Sequence, residues 1–173
     1  HQDKPKFVKG EKRYHHQLLL ARNNVGYRNL MQLTTIANTD GMHANHPRID
    51  SALLAQYGEG LIATSSCLGG EIPQLLLAGN TEEAYKTARF FRETLGPENY
   101  YLEIQSQSGS AEQFAVNKQL YQMAKDLELP LLATNDLHYV DQNDAHSHEI
   151  LLCVQTQASV NNPKHFRFQG DEF

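Results

Sequence analysis

The sequence predicts an α/β fold of parallel strands joined by crossover helices, and three observations lead there. Short apolar runs alternate with longer segments of helical spacing four times along the chain. Capping residues open several of the helical segments, and glycine or proline closes others. Apolar residues make up 40% of the 173 positions, enough to bury one core. Such alternation implies a parallel α/β layer or barrel. Four units are about half of a closed barrel. A parallel sheet needs both faces covered, so partner strands are expected upstream of this chain.

The elements follow in order. Residues 1–13 (HQDKPKFVKGEKR) are polar and basic without periodicity and read as an arm. There is no opening Met and the first patterned element follows at once, so a piece of a longer protein is expected. Residues 14–21 (YHHQLLLA) have strand character. Val25, Leu30, Leu33, Ile36 and Ala37 then fall at helical spacing across 24–38. Asp50 can cap a short helix reaching residue 56, and 60–65 (GLIATS) reads as a buried strand. Residues 71–78 form a brief helix ending at Gly79. Asn80 with Glu83 makes a capping-box pattern for a helix running to Leu95, closed by Gly96 and Pro97.

Residues 100–104 (YYLEI) are a third strand. Ser110 with Gln113 repeats the capping-box pattern and opens a helix to Leu127, with Phe114, Leu120, Ala124 and Leu127 on one face. Pro130 introduces a fourth strand over 131–134, and Asp141 can cap a last helix through residue 153. The tail, 155–173, is polar, Asn-rich and irregular, more like an exit segment than a domain end.

Charge and cysteine usage narrow the classes. Fifteen Lys and Arg against twenty Asp and Glu give a net charge of −5, unlike the basic stripe of a dedicated DNA-binding surface. No apolar run reaches the roughly 20 residues of a membrane span, so no membrane partner is expected. Two cysteines, Cys67 and Cys153, make no disulfide framework, and the expected compartment is a reducing cytoplasm.

Nine histidines are the first chemical clue. In 133–139 (ATNDLHY) an apolar strand runs into Asp136-x-His138. In an extended segment those two side chains point to the same side, at the strand's C-terminal end where α/β barrels place their sites. A carboxylate with an imidazole suits Zn²⁺, Mn²⁺ or Fe²⁺, although a capping Asp beside a solvated His reads equally well. Cys67 sits in a small-residue turn (SSCLGGE) at the matching position past another strand. It is either a buried structural thiol or a thiolate ligand.

His15 and His16 face opposite sides if extended, so at most one can look inward, and their place at the start of a strand does not suit a C-terminal-end site. His43, His46, His146 and His148 read as surface residues, and Cys153 as core.

The blocks YHHQLLLARNNVGYRNLMQLTTIA, PRID…EGLIATSSCLGGEIPQLLLAGN and ELPLLATNDLHYV, in that order, resemble the PHP (polymerase and histidinol phosphatase) domain of bacterial DNA polymerase III alpha subunits. DAHSHEILLCVQT and NPKHFRFQGDEF resemble the stretch leading from that domain toward the polymerase palm. The resemblance covers essentially the whole chain from Tyr14.

It implies part of a distorted β/α barrel of PHP type, with 1–154 a partial PHP domain and 155–173 an exit segment toward the polymerase core. It places metal ligands on His16, Cys67, Asp136 and His138, and so chooses His16 over His15. The expected cofactor is a divalent metal, Zn or Mn, in a site that in some members supports 3′–5′ exonuclease proofreading. Mg would serve a polymerase site outside this chain. The expected function is a domain of a DNA-directed DNA polymerase in DNA replication. Its partners would be DNA, other replisome subunits and a proofreading exonuclease subunit.

The family's N-terminal His-x-His strand and the ligands that follow it are absent, and 105–112 (QSQSGSAE) lacks an expected Asp-His-Gly. No general base can be named. A stand-alone phosphoesterase of histidinol-phosphatase type and a non-catalytic scaffold are the alternatives.

Overall fold

The computed structural model describes residues 14–43, 45–106 and 110–168. The basic arm, the middle of the 105–112 loop and the last five residues lie outside it. Four strands form one sheet in the order β1 (Leu19–Ala21), β2 (Leu61–Thr64), β3 (Tyr100–Gln105), β4 (Leu131–Thr134). The helices are α1 (Asn24–Thr39), α2 (Ser51–Tyr57), α3 (Glu71–Leu77), α4 (Thr81–Leu95), α5 (Ala111–Asp126) and α6 (Ala145–Thr156).

The expectation of parallel strands holds for three of the four. β2 pairs parallel with β3, and β3 with β4, through crossover helices. β1 instead runs antiparallel to β2, Leu20 opposite Ile62. The reason is local. Two helices, α1 and α2, connect β1 to β2; α1 packs on α2 and on both strands, and the pair returns the chain antiparallel beside β1. The strand is also shorter than the run 14–21 suggests, because Gln17 turns its amide to the Thr64 carbonyl at 2.8 Å and ladder pairing begins only at Leu19.

The core lies between the sheet and helices α3, α4 and α5. Leu61, Ala63, Tyr100 and Leu102 from the strands meet Ile72, Ala84, Ala88, Leu120 and Met123, all at most 1% exposed. Phe91 stacks on Tyr100 with centroids 4.7 Å apart. Two caps form as the sequence suggests: Asp50 accepts from the Leu53 N–H at 2.8 Å, and Ser110 from the Gln113 N–H at 3.1 Å.

Two expectations fail. Asn80 makes no side-chain cap, being held out of the extended conformation such caps use (φ −86°, ψ 58°), while Glu83 pairs with Lys86. Phe114 is 75% exposed. Six positions at about 100° each set it about 120° round the helix from Leu120, and Val116 and Met123 fill the buried face instead. Among the described residues, no helix is long and apolar enough to cross a membrane.

Candidate metal centre at the sheet's C-terminal edge

β2 and β4 end in near-identical strings, Leu61-Ile-Ala-Thr64 and Leu131-Leu-Ala-Thr134, and both leave the sheet the same way. Two residues past each threonine the backbone enters the left-handed region, at Ser66 (φ 63°) and at Asp136 (φ 52°). That conformation costs an L-residue roughly 1 kcal/mol and is stored most often where a loop must be aimed.

The first turn carries Cys67. Its carbonyl accepts from the Gly70 N–H at 2.8 Å, and its sulfur from the Gly69 N–H at 3.4 Å. The His16 Nδ1 lies 3.4 Å from the same sulfur. The backbone N–H of His16 donates to the Gly69 carbonyl at 3.0 Å, which fixes the ring's origin. A Cβ on Gly69 would stand 2.7 Å from that ring nitrogen, so glycine leaves the space the histidine fills.

The antiparallel course of β1 resolves the objection to His16. Its start lies beside the end of β2, so a histidine entering the sheet meets a cysteine leaving it. Burial pushes the Cys67 thiol up from its ordinary pKa, and the Asp136 carboxylate nearby adds to the rise, against the Gly69 N–H, which lowers it.

The second turn carries Asp136 and His138, with Oδ2 and Nε2 3.7 Å apart. They come together, but not because the segment is extended: the left-handed turn at Asp136 swings the chain so that the two heads meet. Thus the four sequence-derived residues form two pairs, His16 with Cys67 and Asp136 with His138. Among the described residues, no three His, Cys, Asp or Glu side chains are gathered closely enough to hold a metal ion.

The Cys67–His16 pair nonetheless has ligand spacing, and the Asp136–His138 pair, at 3.7 Å, is slightly wider. Zn–S and Zn–N bonds of about 2.3 and 2.0 Å at a tetrahedral angle put sulfur and nitrogen about 3.5 Å apart. The donor set fits such an ion, and it needs further ligands to close.

Sequence reasoning missed several residues here. His148 is half-buried and tilts against His138, centroids 5.8 Å apart, with Phe168 against both. His43 and His46, by contrast, are exposed as expected; their backbones bond to each other, and Tyr14 stacks on the His46 ring. His165 is held at both nitrogens, by the Asn162 carbonyl at 2.5 Å and by Glu149 at 2.6 Å. His148, Glu149 and Phe168 border a cavity of about 470 Å³ with Tyr139, His146 and Arg167. No short-range periodicity announces His148, His165 and Phe168, since they meet only because the tail folds back on α6.

Two acceptors on one ring favour the imidazolium. The Asn162 carbonyl and then Glu149 raise the His165 pKa above its ordinary 6.5, while His165 lowers Glu149 below 4.5. A raised histidine stabilises fully below 6.5 and loses that contribution as pH climbs through its folded value. A lowered carboxylate stabilises above 4.5 and loses it as pH falls. The tail is therefore held best between pH 4.5 and 6.5. In an NMR titration the His165 ring should titrate above the ordinary value, and Glu149→Gln should bring it down. An unchanged midpoint in the variant would contradict the contact.

Comparisons with known proteins agree with one another. The sequence pattern of the family described as "PHP domain" matches residues 3–107. DNA polymerase III subunit alpha of Treponema pallidum is 44% identical over 162 residues, 94% of this chain and 14% of that protein. The subunit of Deinococcus radiodurans is 42% identical over 171 residues, 99% of the chain and 13% of that protein. That of Mycobacterium leprae is 40% identical over 160 residues, 92% and 14%. The chain thus spans about a seventh of the length of these relatives.

Proposed function

We propose a function that proceeds from one fact: this chain belongs to the PHP domain family. It serves as part of the PHP domain of a bacterial replicative polymerase, and that domain holds a divalent metal, Zn or Mn, on His16, Cys67, Asp136 and His138. Identity of 40–44% to three DNA polymerase III alpha subunits over nearly the whole chain supports the polymerase reading. The observation that carries the metal reading is the 3.4 Å approach of Cys67 and His16, from elements 51 positions apart, with ligand spacing at the strand ends.

Residues 1–154 are then the PHP portion and 155–173 the exit toward the polymerase core. Further strands complete a distorted β/α barrel, because among the described residues the four-stranded sheet leaves β1 and β4 as open edges. DNA, other replisome subunits and a proofreading exonuclease subunit are the partners, in the cytoplasm.

A bound divalent metal supplies activation of water and stabilises charge on phosphate oxygens, which suits 3′–5′ phosphodiester hydrolysis. The chain's own residues contribute binding and orientation. Cys67 and His16 present sulfur and nitrogen from one turn, Asp136 and His138 present oxygen and nitrogen from the other, and the Gly69 N–H orients the sulfur. Polymerisation, with its Mg, belongs outside these residues.

Asp136→Asn combined with His138→Ala in the full-length protein tests this. Losing two of four ligands should lower zinc or manganese affinity by about 100-fold or more, since even outer partners are worth 10–100-fold. Nucleotide incorporation should stay near wild type. Equal metal content in both proteins would sink the assignment.

A further inference from the structure

Glu103 is a buried carboxylate, 6% exposed, in the middle of β3, flanked in the sheet by β2 and β4. Central strands of parallel sheets carry apolar side chains, and a glutamate there needs donors. It has three. The Thr64 hydroxyl donates to one carboxylate oxygen at 2.5 Å, the Thr134 hydroxyl to the other at 2.5 Å, and the Gln105 amide to that second oxygen at 2.9 Å. Its backbone N–H donates to the Ser65 hydroxyl at 2.8 Å.

Thr64 and Thr134 are the last residues of β2 and β4. Cys67 follows the first by three residues, and Asp136 the second by two. The Thr64 hydroxyl also accepts from the N–H of Ser66, the left-handed residue that starts the cysteine turn.

We propose that Glu103 is a positioning residue: one carboxylate, gripping the two terminal threonines, sets how far apart the Cys67 turn and the Asp136 turn leave the sheet. This deepens the metal reading above and rests on it. Both oxygens are needed, because each threonine donates to a different one. Charge-assisted hydroxyl bonds of this kind are short and strong, and a buried one left half-made is costly.

Glu103→Gln keeps the shape but replaces one acceptor oxygen by an NH₂ group, so one threonine hydroxyl loses its acceptor. The test uses Co²⁺ as the probe on full-length protein, read by chelator competition and by the sulfur-to-cobalt absorption that reports Cys67. Tyr85→Phe is the control. It removes a 2.6 Å hydroxyl–carboxylate bond to Asp126 between α4 and α5, away from both turns.

The expected result is a 10–100-fold fall in Co²⁺ affinity for Glu103→Gln with an altered sulfur band, and neither change for Tyr85→Phe. Wild-type affinity and spectrum in Glu103→Gln would overturn the clamp while leaving the metal reading intact, as would equal losses in both variants. Should wild type itself bind no Co²⁺, the metal reading falls. The alkylation rate of Cys67 in the metal-free protein then decides the clamp: several-fold faster in Glu103→Gln than in Tyr85→Phe upholds it, and equal rates overturn it.

Discussion

Gly70→Ala is expected to wreck the cysteine turn. A Cβ at this position would stand 2.1 Å from the Ser65 carbonyl oxygen and 3.2 Å from that of Cys67. Neither can step aside cheaply. The Ser65 N–H is bonded to the Tyr101 carbonyl in the β2–β3 ladder, and the Cys67 carbonyl is taken by the Gly70 N–H itself. The backbone of Gly70 is ordinary at φ −69°, so room is the whole requirement. Overpacking against side chains typically costs about 1–3 kcal/mol, and a clash with fixed backbone belongs at or above the top of that range. Amide hydrogen exchange should quicken across α3 and residues 65–70, and Co²⁺ affinity should fall at least as far as in Glu103→Gln. Wild-type exchange with wild-type Co²⁺ binding would refute this account of the turn.

Gly26→Ala is the second large effect, on the opposite end of the sheet. α1 lies so close to the turn before β2 that a Cβ on Gly26 would reach 1.8 Å from the Gly60 oxygen and 2.4 Å from its carbon. The Gly60 oxygen accepts from the Arg22 N–H at 2.9 Å, and Asn23, one turn earlier, caps α1 through the Gly26 N–H at 3.0 Å. Gly60 itself sits at φ +73°, open to glycine and costly for most other residues. Pushing these backbones apart should uncouple α1 from β2, at about 3 kcal/mol or more. Exchange protection should collapse across α1 and β1 while α5 keeps its own. Uniform protection in the variant would mean that the helix had found another seat.

How much of this was legible in the sequence depends on the range of the signal. Strands and helices written in local period were readable: β4 falls on 131–134 as expected, and α1, α4 and α5 lie within two residues of their predicted ends. The direction of β1 was not, because direction is decided by how α1 and α2 pack and not by the run YHHQLLLA. Cys67 and Asp136 can be placed at strand ends from apolar runs alone, but His16 cannot, because its place beside the end of β2 follows only from the reversed direction of β1.

Glu103 left two traces that could have exposed it. One is a charged residue inside YYLEI, and the other is the repetition of LIATS and LLATN on either side of it. The ring cluster of His138, His148 and Phe168 left none, since a helix and an irregular tail have no shared periodicity to read.

The antiparallel β1 has a consequence for how the sheet keeps its alignment. It is a three-residue edge strand with two of its side chains exposed, so its register rests on three residue pairs. Sliding it by two residues along β2 would preserve which side chains face in, yet would carry His16 about 6.6 Å along the strand axis, out of reach of Cys67. An ion shared by that histidine and that cysteine would therefore act as an alignment pin, making metal occupancy and the seating of the first strand a single event.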